Sequence, residues 1–221
     1  IVHSHMNGWA GEIQVMHVTP VRYNRLTRVK PLKRALAWLS PRLATYLLLE
    51  KFRVRRAPAR RVVAVSGLIM DQLHRSYGPQ LPVDIIAPGV KLPGPEAAAA
   101  RAATRAQVGW DAGTIGCLLV ARNPLRKGLP ALLDALALLP TQYRLLVVGA
   151  DEATRDRVRN AGAVASRVAL VDPTPDVARY FAAADIYAHP TLNDSYAMAP
   201  LEAMSHGLPV VVSSPAYCGF A

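Results

Sequence analysis

Three groups of residues in this sequence have types and spacings suited to chemistry on an anionic, hydroxyl-rich ligand. The first is the run Arg122-Asn123-Pro124-Leu125-Arg126-Lys127-Gly128. A guanidinium fork and a point-charge ammonium, with a flexible glycine behind them, can neutralise a diphosphate from two sides. Taken alone, Arg122 and Lys127 read more simply as solvated surface cations. The second group is a pair of acids, Asp194 and Glu202, separated by seven residues. Pro200 lacks an N–H and fits only a first helical turn, so a helix should start near Ala197 and leave the amides of Ala197, Met198 and Ala199 free to meet an anion. Asp194 then lies in the loop before that helix and Glu202 in its first turns, where both carboxylates can accept hydrogen bonds from one sugar-like ligand. Asp194 could equally form an Asx turn, and Glu202 could be an ordinary acid near a helix N-terminus. The third group is His3 and His5, which alternate along a strand and so face one way, with His5 at its carboxyl end.

Some chemistries are disfavoured. Two histidines spaced by one residue, with no third ligand nearby, are weak evidence for zinc. No Asp-x-Asp triplet occurs, so the expectation is no metal and no cofactor. Gly149 follows a strand without the further glycines of a G-x-G-x-x-G fingerprint, which disfavours a nicotinamide dehydrogenase. Neither a G-x-S-x-G nor a P-loop pattern appears.

These residues need elements to hold them, and the sequence supplies a βα rhythm. In the second half, strands are expected at 114–121, 143–149, 167–171, 186–189 and 209–213, with helices at 129–139, 152–161, 175–184 and 197–206. Nearly continuous apolar runs such as Leu145-Leu146-Val147-Val148 imply strands buried on both faces of a parallel sheet. Ligands of such sheets bind beyond the carboxyl ends of the strands, which is where the polar residues above fall. In the first half, strands are expected at 1–5, 15–18, 62–66 and 83–87, with helices at 41–57 and 68–77. Ser40 before Pro41 reads as an N-cap, and Pro58 as a stop. Proline and glycine punctuate 87–95 and an Ala-rich helix follows at 96–108, so the domains are expected to be 1–95 and 96–221.

The run HPTLNDSYAMAPLEAMSHGLPVVVS (His189 to Ser213) resembles the signature segment of the retaining glycosyltransferases of family 4, in which two acids seven residues apart precede a Gly-x-Pro-Val-Val strand. VARNPLRKG resembles that family's Arg-x-x-x-x-Lys-Gly diphosphate loop, IVHSH its first-domain His strand, and VVAVS with IIAPGV its pre-hinge strands. The basic stretch after Tyr23 and the terminal Tyr-Cys-Gly-Phe are similar to those of the lipopolysaccharide core glucosyltransferases within it. The resemblance implies an α/β fold of GT-B architecture, two Rossmann-like domains with parallel sheets. It implies transfer of a sugar from a nucleotide diphosphate sugar, UDP-glucose-like, to a lipid-linked or lipopolysaccharide core acceptor, without a metal. Arg122 and Lys127 would hold the diphosphate, Glu202 the ribose and Asp194 the donor sugar, with Gly149, Ala197 and Met198 lining the donor site and His5 facing the sugar from the first domain. Asp194 replaces the family's usual Glu, and Ala197 stands where Gly is common. Two full domains need roughly 300 residues, so both are expected to be incomplete here and the chain inactive by itself.

The composition agrees with a globular chain: 221 residues, 52% apolar, formal charge +11. The charge is local, because residues 22–61 carry thirteen Lys or Arg against Glu50 alone, and residues 62–221 carry thirteen of each sign. That basic segment could hold an anionic membrane surface, at about 1 kcal/mol per cation. It could also be a solvated face or, ranked last, a nucleic-acid-binding module. Arg42, Arg53 and Arg56 are expected to share one helix face with Tyr46, with Lys51 and Arg55 opposite. Two cysteines, no span-length apolar run and no signal-peptide pattern favour a reducing, cytoplasmic compartment, and with the lipid-linked acceptor that the resemblance implies, the basic segment would make the enzyme peripheral on the inner face of the cytoplasmic membrane.

Overall fold

A computed structural model describes residues 1–5, 11–29, 40–55, 57 and 60–221. The chain divides into two compact units, Ile1–Pro88 and Gly89–Ala221. The Pro/Gly-rich stretch after Pro88 therefore belongs to the second unit, whereas the sequence places the division after Pro95.

The first unit is a parallel sheet of β1 (His3–His5), β2 (Ile13–Met16), β3 (Arg61–Ala64) and β4 (Asp84–Ile85), in that spatial order. β2 begins and ends two residues before the expected 15–18, because its ladder runs from Ile13 opposite Arg61 to Met16 opposite Ala64. Among the described residues, the helices α1 (Val21–Arg28), α2 (Pro41–Val54) and α3 (Gly67–Tyr77) accompany the sheet. α1 has no capping side chain of its own. Buried Glu50 on α2 serves instead, accepting hydrogen bonds from the Val21 and Arg22 amides at 2.5 and 3.1 Å and from the Tyr77 hydroxyl at 2.6 Å. A helix start satisfied from 29 residues away leaves no local sequence signal.

Two expectations for α2 need correction. Ser40 makes no side-chain capping bond, although Pro41 does open the helix; Ser66 is the serine that caps, accepting from the Ile69 amide of α3 at 3.3 Å. Arg53 is 5% exposed and is no part of a solvent-facing cationic stripe. Its guanidinium reaches inward to the Val15 carbonyl at 2.8 Å and the Gln14 side chain at 3.4 Å, tying α2 to β2. Arg56 and Pro58 lie outside the described residues.

The second unit holds β5 (Ile115–Val120), β6 (Tyr143–Val148), β7 (Val168–Val171), β8 (Ile186–His189) and β9 (Val210–Val212), all parallel. Their spatial order is β7-β6-β5-β8-β9. The order reverses between β5 and β8, which opens a crevice at their carboxyl ends. Its helices are α4 (Pro95–Ala99), α5 (Arg101–Gln107), α6 (Leu129–Leu138), α7 (Glu152–Arg159), α8 (Ala178–Ala183) and α9 (Met198–Ser205). The single helix expected over 96–108 is broken at Ala100. Arg101 and Arg105 clamp α5 onto the Ala182, Ala183 and Ala184 carbonyls and onto Asp185, so tertiary bonds override the helical preference of an alanine run.

Leu145 to Val148 are buried, as a sheet covered on both faces requires. Leu146 and Val148 pack with Leu118, Tyr187, Phe181 and Ala203 on one face. Leu145 and Val147 pack with Leu119, Leu129, Leu133 and Leu136 on the other. Both layers seat the strand ends that carry the polar loops.

Candidate functional site

The loop after β5 runs from Ala121 to Gly128, and Gly128 starts α6 with φ 105°. A Cβ there would strike the Pro190 carbonyl oxygen, so only glycine lets this loop close against the loop after β8. That closeness places Lys127 beside Asp194. The ammonium lies 2.5 Å from Asp194 Oδ2, which also takes a hydrogen bond from His189 Nε2 at 3.1 Å. Lys127 is therefore no free surface cation. Burial pushes the Asp194 carboxyl up, but the hydrogen bonds from His189 and Lys127 and the charge of Lys127 outweigh it and hold the pKa at about 2.

The Asp194 loop is braced along its backbone. The Asp194 amide donates to the Tyr217 carbonyl at 2.8 Å and the Gly219 amide to the Asp194 carbonyl at 3.0 Å, forming a parallel bridge with the 217–219 segment. Ser213 Oγ donates to the Thr191 carbonyl at 2.5 Å. At the end of the loop Ala197 adopts φ 71°, the positive-φ non-glycine residue among those described, and α9 starts after it. An L side chain there costs about 1–2 kcal/mol, which is the physical reason a glycine suits this position.

A cleft of about 660 Å³ opens at the strand ends. Exposed Arg122 and the cleft-facing Glu202 line it together with Gly149, Pro173, Thr174, Pro175, Met198 and Ala199. Burial raises the Glu202 carboxyl above the usual carboxylate range. Gly149, at φ 97°, is pressed so close that a Cβ would strike the Ala121 carbonyl oxygen. The structure thus brings Arg122, Gly149, Met198 and Glu202 to one cleft and Lys127 to Asp194; Lys127, Asp194 and Ala197 are not among the residues lining the cleft. His5 belongs to the first unit, where its ring lies 4.4 Å from His3 and 5.7 Å from His17. The one-way facing of His3 and His5 is as the alternation implies. Among the described residues no group of three His, Cys, Asp or Glu is arranged to hold a metal ion.

Sequence reasoning missed His189 and Tyr187. Both are buried, and their rings stack 6.1 Å apart on the same face of β8. The Tyr187-x-His189 alternation carries that signal, because residues two apart on a strand share a face.

The cleft itself offers a cation, Arg122, a carboxyl, Glu202, and the first residues of α9, Met198 and Ala199, while the Lys127 ammonium is held by Asp194. Residues 114–219 match the family model described as "Glycosyl transferases group 1". The match lies wholly within the second unit, which is thus similar to a group 1 glycosyl transferase domain. A D-inositol 3-phosphate glycosyltransferase of Xylanimonas cellulosilytica is 33% identical over 69% of this chain and 42% of its own length. The lipopolysaccharide glucosyltransferase WaaG of Escherichia coli is 36% identical over 43% of this chain and 26% of its own. The chain thus spans under half the length of these curated relatives. Among solved structures, WaaG aligns with TM-score 0.76 at 23% identity over 95% of this chain and 58% of that one. Anabaena Alr3699/HepE, solved in complex with UDP-glucose, aligns with TM-score 0.68 at 21% identity over 94% of this chain and 54% of that one. With its two parallel sheets, the chain has the GT-B type of fold.

Proposed function

We propose that this chain is the donor-binding part, with a portion of the acceptor side, of a retaining hexosyltransferase that uses a UDP-glucose-like donor and a lipid-linked or lipopolysaccharide core acceptor. The observation that carries the reading is the reversal of strand order between β5 and β8, with Arg122 and Glu202 in one cleft and Lys127 paired to Asp194 between the loops that follow those two strands. Arg122 and Lys127 hold the diphosphate, Glu202 accepts ribose hydroxyls, and Asp194 contacts the sugar. Gly149, Ala197 and Met198 let the nucleotide approach the backbone. His5 is assigned to the donor sugar on the family resemblance alone. During transfer the bond from the anomeric carbon to the diphosphate oxygen breaks with its electron pair going to that oxygen, a bond to the acceptor oxygen forms, and the acceptor hydroxyl gives its proton to the departing diphosphate. Charge builds on the departing diphosphate, and fixed cations and helix amides oppose it without a metal. In the free protein Asp194 neutralises Lys127; an arriving diphosphate offers that ammonium a second, doubly charged partner.

Calorimetric titration with UDP-glucose tests the reading. Binding is expected for the wild type, with losses of about tenfold or more in Lys127→Ala and Glu202→Ala at unchanged fold. Wild-type affinity retained in both variants would remove the site assignment.

A second reading concerns the basic segment, which we assign to an anionic membrane surface on the cytoplasmic side, ahead of nucleic acid. Supporting it, α2 exposes Leu48, Lys51 and Phe52, with Arg55 exposed just after it, a mixture suited to a lipid headgroup layer. No helix among the described residues is long and apolar enough to cross a membrane.

A further inference from the structure

The donor-site reading asks Asp194 to present a carboxylate to a sugar at the moment Lys127 turns to the diphosphate. An Asp on a loop that lost its ammonium partner would be free to rotate, and its sugar contact would be lost with it. The backbone of the loop has its own fastenings, to Tyr217, Gly219 and Ser213. What remains to be fixed is the side chain.

His189 meets that need. It is the last residue of β8, 2% exposed, and its Nε2–H donates to Asp194 Oδ2 at 3.1 Å. Lys127 falls on the same oxygen, so neither donor takes Oδ1. The other ring nitrogen, Nδ1, lies 3.2 Å from the Tyr187 hydroxyl, which lies 3.4 Å from the Val120 carbonyl at the end of β5. We propose that His189, oriented by Tyr187, is the positioning residue that holds Asp194 through Oδ2 and leaves Oδ1 presented to the donor sugar. This rests on the donor-site reading.

The proton arrangement supports it in either state of the imidazole. When His189 is neutral, Nε2 carries the hydrogen bound to Asp194 and Nδ1 accepts the Tyr187 O–H. When it is protonated, Nδ1–H donates to the phenol oxygen and the phenol hydrogen turns to the Val120 carbonyl. Burial holds the Tyr187 hydroxyl protonated by raising its pKa, so it can serve in both arrangements. The bond to Asp194 is kept throughout. A buried imidazole–phenol pair on a sheet strand otherwise costs more than two packed apolar side chains, and here each polar atom has a partner.

UDP and UDP-glucose, titrated into the wild type, His189→Leu, His189→Gln and Tyr187→Phe, separate this from a packing role. Gln can reach Oδ2 with its amide N–H, as the ring does; Leu cannot. UDP affinity is expected to stay within about twofold in every variant, because the diphosphate contacts are untouched. UDP-glucose affinity is expected to fall about tenfold in His189→Leu, to fall less in Tyr187→Phe, and to recover to within about threefold in His189→Gln. Equal weakening of both ligands, or no weakening of UDP-glucose in the Leu variant, overturns the proposal. Should His189→Leu fail to fold, Tyr187→Phe, which deletes one oxygen, decides by the same two ligands. A folded wild type that binds neither ligand sinks the donor-site reading itself, a result distinct from normal wild-type binding with an indifferent His189.

Discussion

Asp194 and Glu202, the two acids of the proposed donor site, have opposite electrostatic surroundings. Donors gather on Asp194 and keep it ionised down to a pKa of about 2; nothing comparable reaches Glu202, and burial raises it. Because the folded pKa of Asp194 lies below its unfolded value, its pairing stabilises the fold above about pH 4 by about 2 kcal/mol, a contribution lost as pH falls through the folded value. Glu202 behaves the other way, and it protonates first on acidification. A protonated carboxyl has fewer acceptor sites for ribose hydroxyls, so UDP-glucose affinity is expected to fall several-fold between about pH 7.5 and about 4.5. The donor's diphosphate is a diester and carries no proton in that range. Calorimetry on Glu202→Gln is expected to give a weaker and flatter profile; a profile parallel to the wild type would show that another group titrates. The spacing of the acids made both visible in the sequence. His189 was not, because it ends a strand and its partner Asp194 comes five residues later around a turn, a contact that pattern reading does not compute.

At the scale of elements, most strands and helices of the second unit were legible to within a few residues, because the strands are apolar runs and turn residues separate them from the helices. The failures have physical causes. α1 starts on a distant carboxylate, the 96–108 helix breaks where guanidiniums clamp its second part, and Ser40 lacks the capping bond its position suggests. The loops that build the site depend on close backbone approach, which sequence marks only as a glycine. Gly149 illustrates how much hangs on one hydrogen atom: its φ of 97° and the Ala121 oxygen together leave no room for Cβ. Gly149→Ala is expected to cost about 2–4 kcal/mol and to shift Ala121 and Arg122 at the cleft, weakening UDP-glucose as well. Gly162→Ala is the control, since φ is 63° but no atom lies within 4 Å of the added Cβ; about 1 kcal/mol is expected, with ligand affinity unchanged. Urea unfolding read beside calorimetry distinguishes them, and equal stability losses would show that the close approach at Gly149 has no consequence.

On the scale of the whole molecule, a net charge of +11 concentrated in residues 22–61 invites a count of cations, but the fold divides them into different kinds. Arg53 is spent inside, on the Val15 carbonyl and Gln14, while Glu50 beside it caps α1. Arg22 lies over the Tyr77 ring at 5.3 Å. Lys51 and Arg55 face solvent with Leu48 and Phe52. If the segment meets an anionic membrane, the exposed pair should matter and the buried arginine should not matter in the same way. Lys51→Gln with Arg55→Gln is expected to weaken sedimentation with anionic vesicles by about 2 kcal/mol, roughly thirtyfold at low salt, while leaving urea stability unchanged. Arg53→Ala is expected to lower stability by about 3 kcal/mol, because the buried Gln14 side chain and the half-buried Val15 carbonyl lose their donor. Binding that survives the double variant, or is equal on neutral vesicles, removes the electrostatic account of this face. A preference for RNA over anionic vesicles at matched salt would return the segment to nucleic acid, since phosphate backbones and lipid headgroups offer the same charge but only the bilayer offers an apolar layer to Leu48 and Phe52.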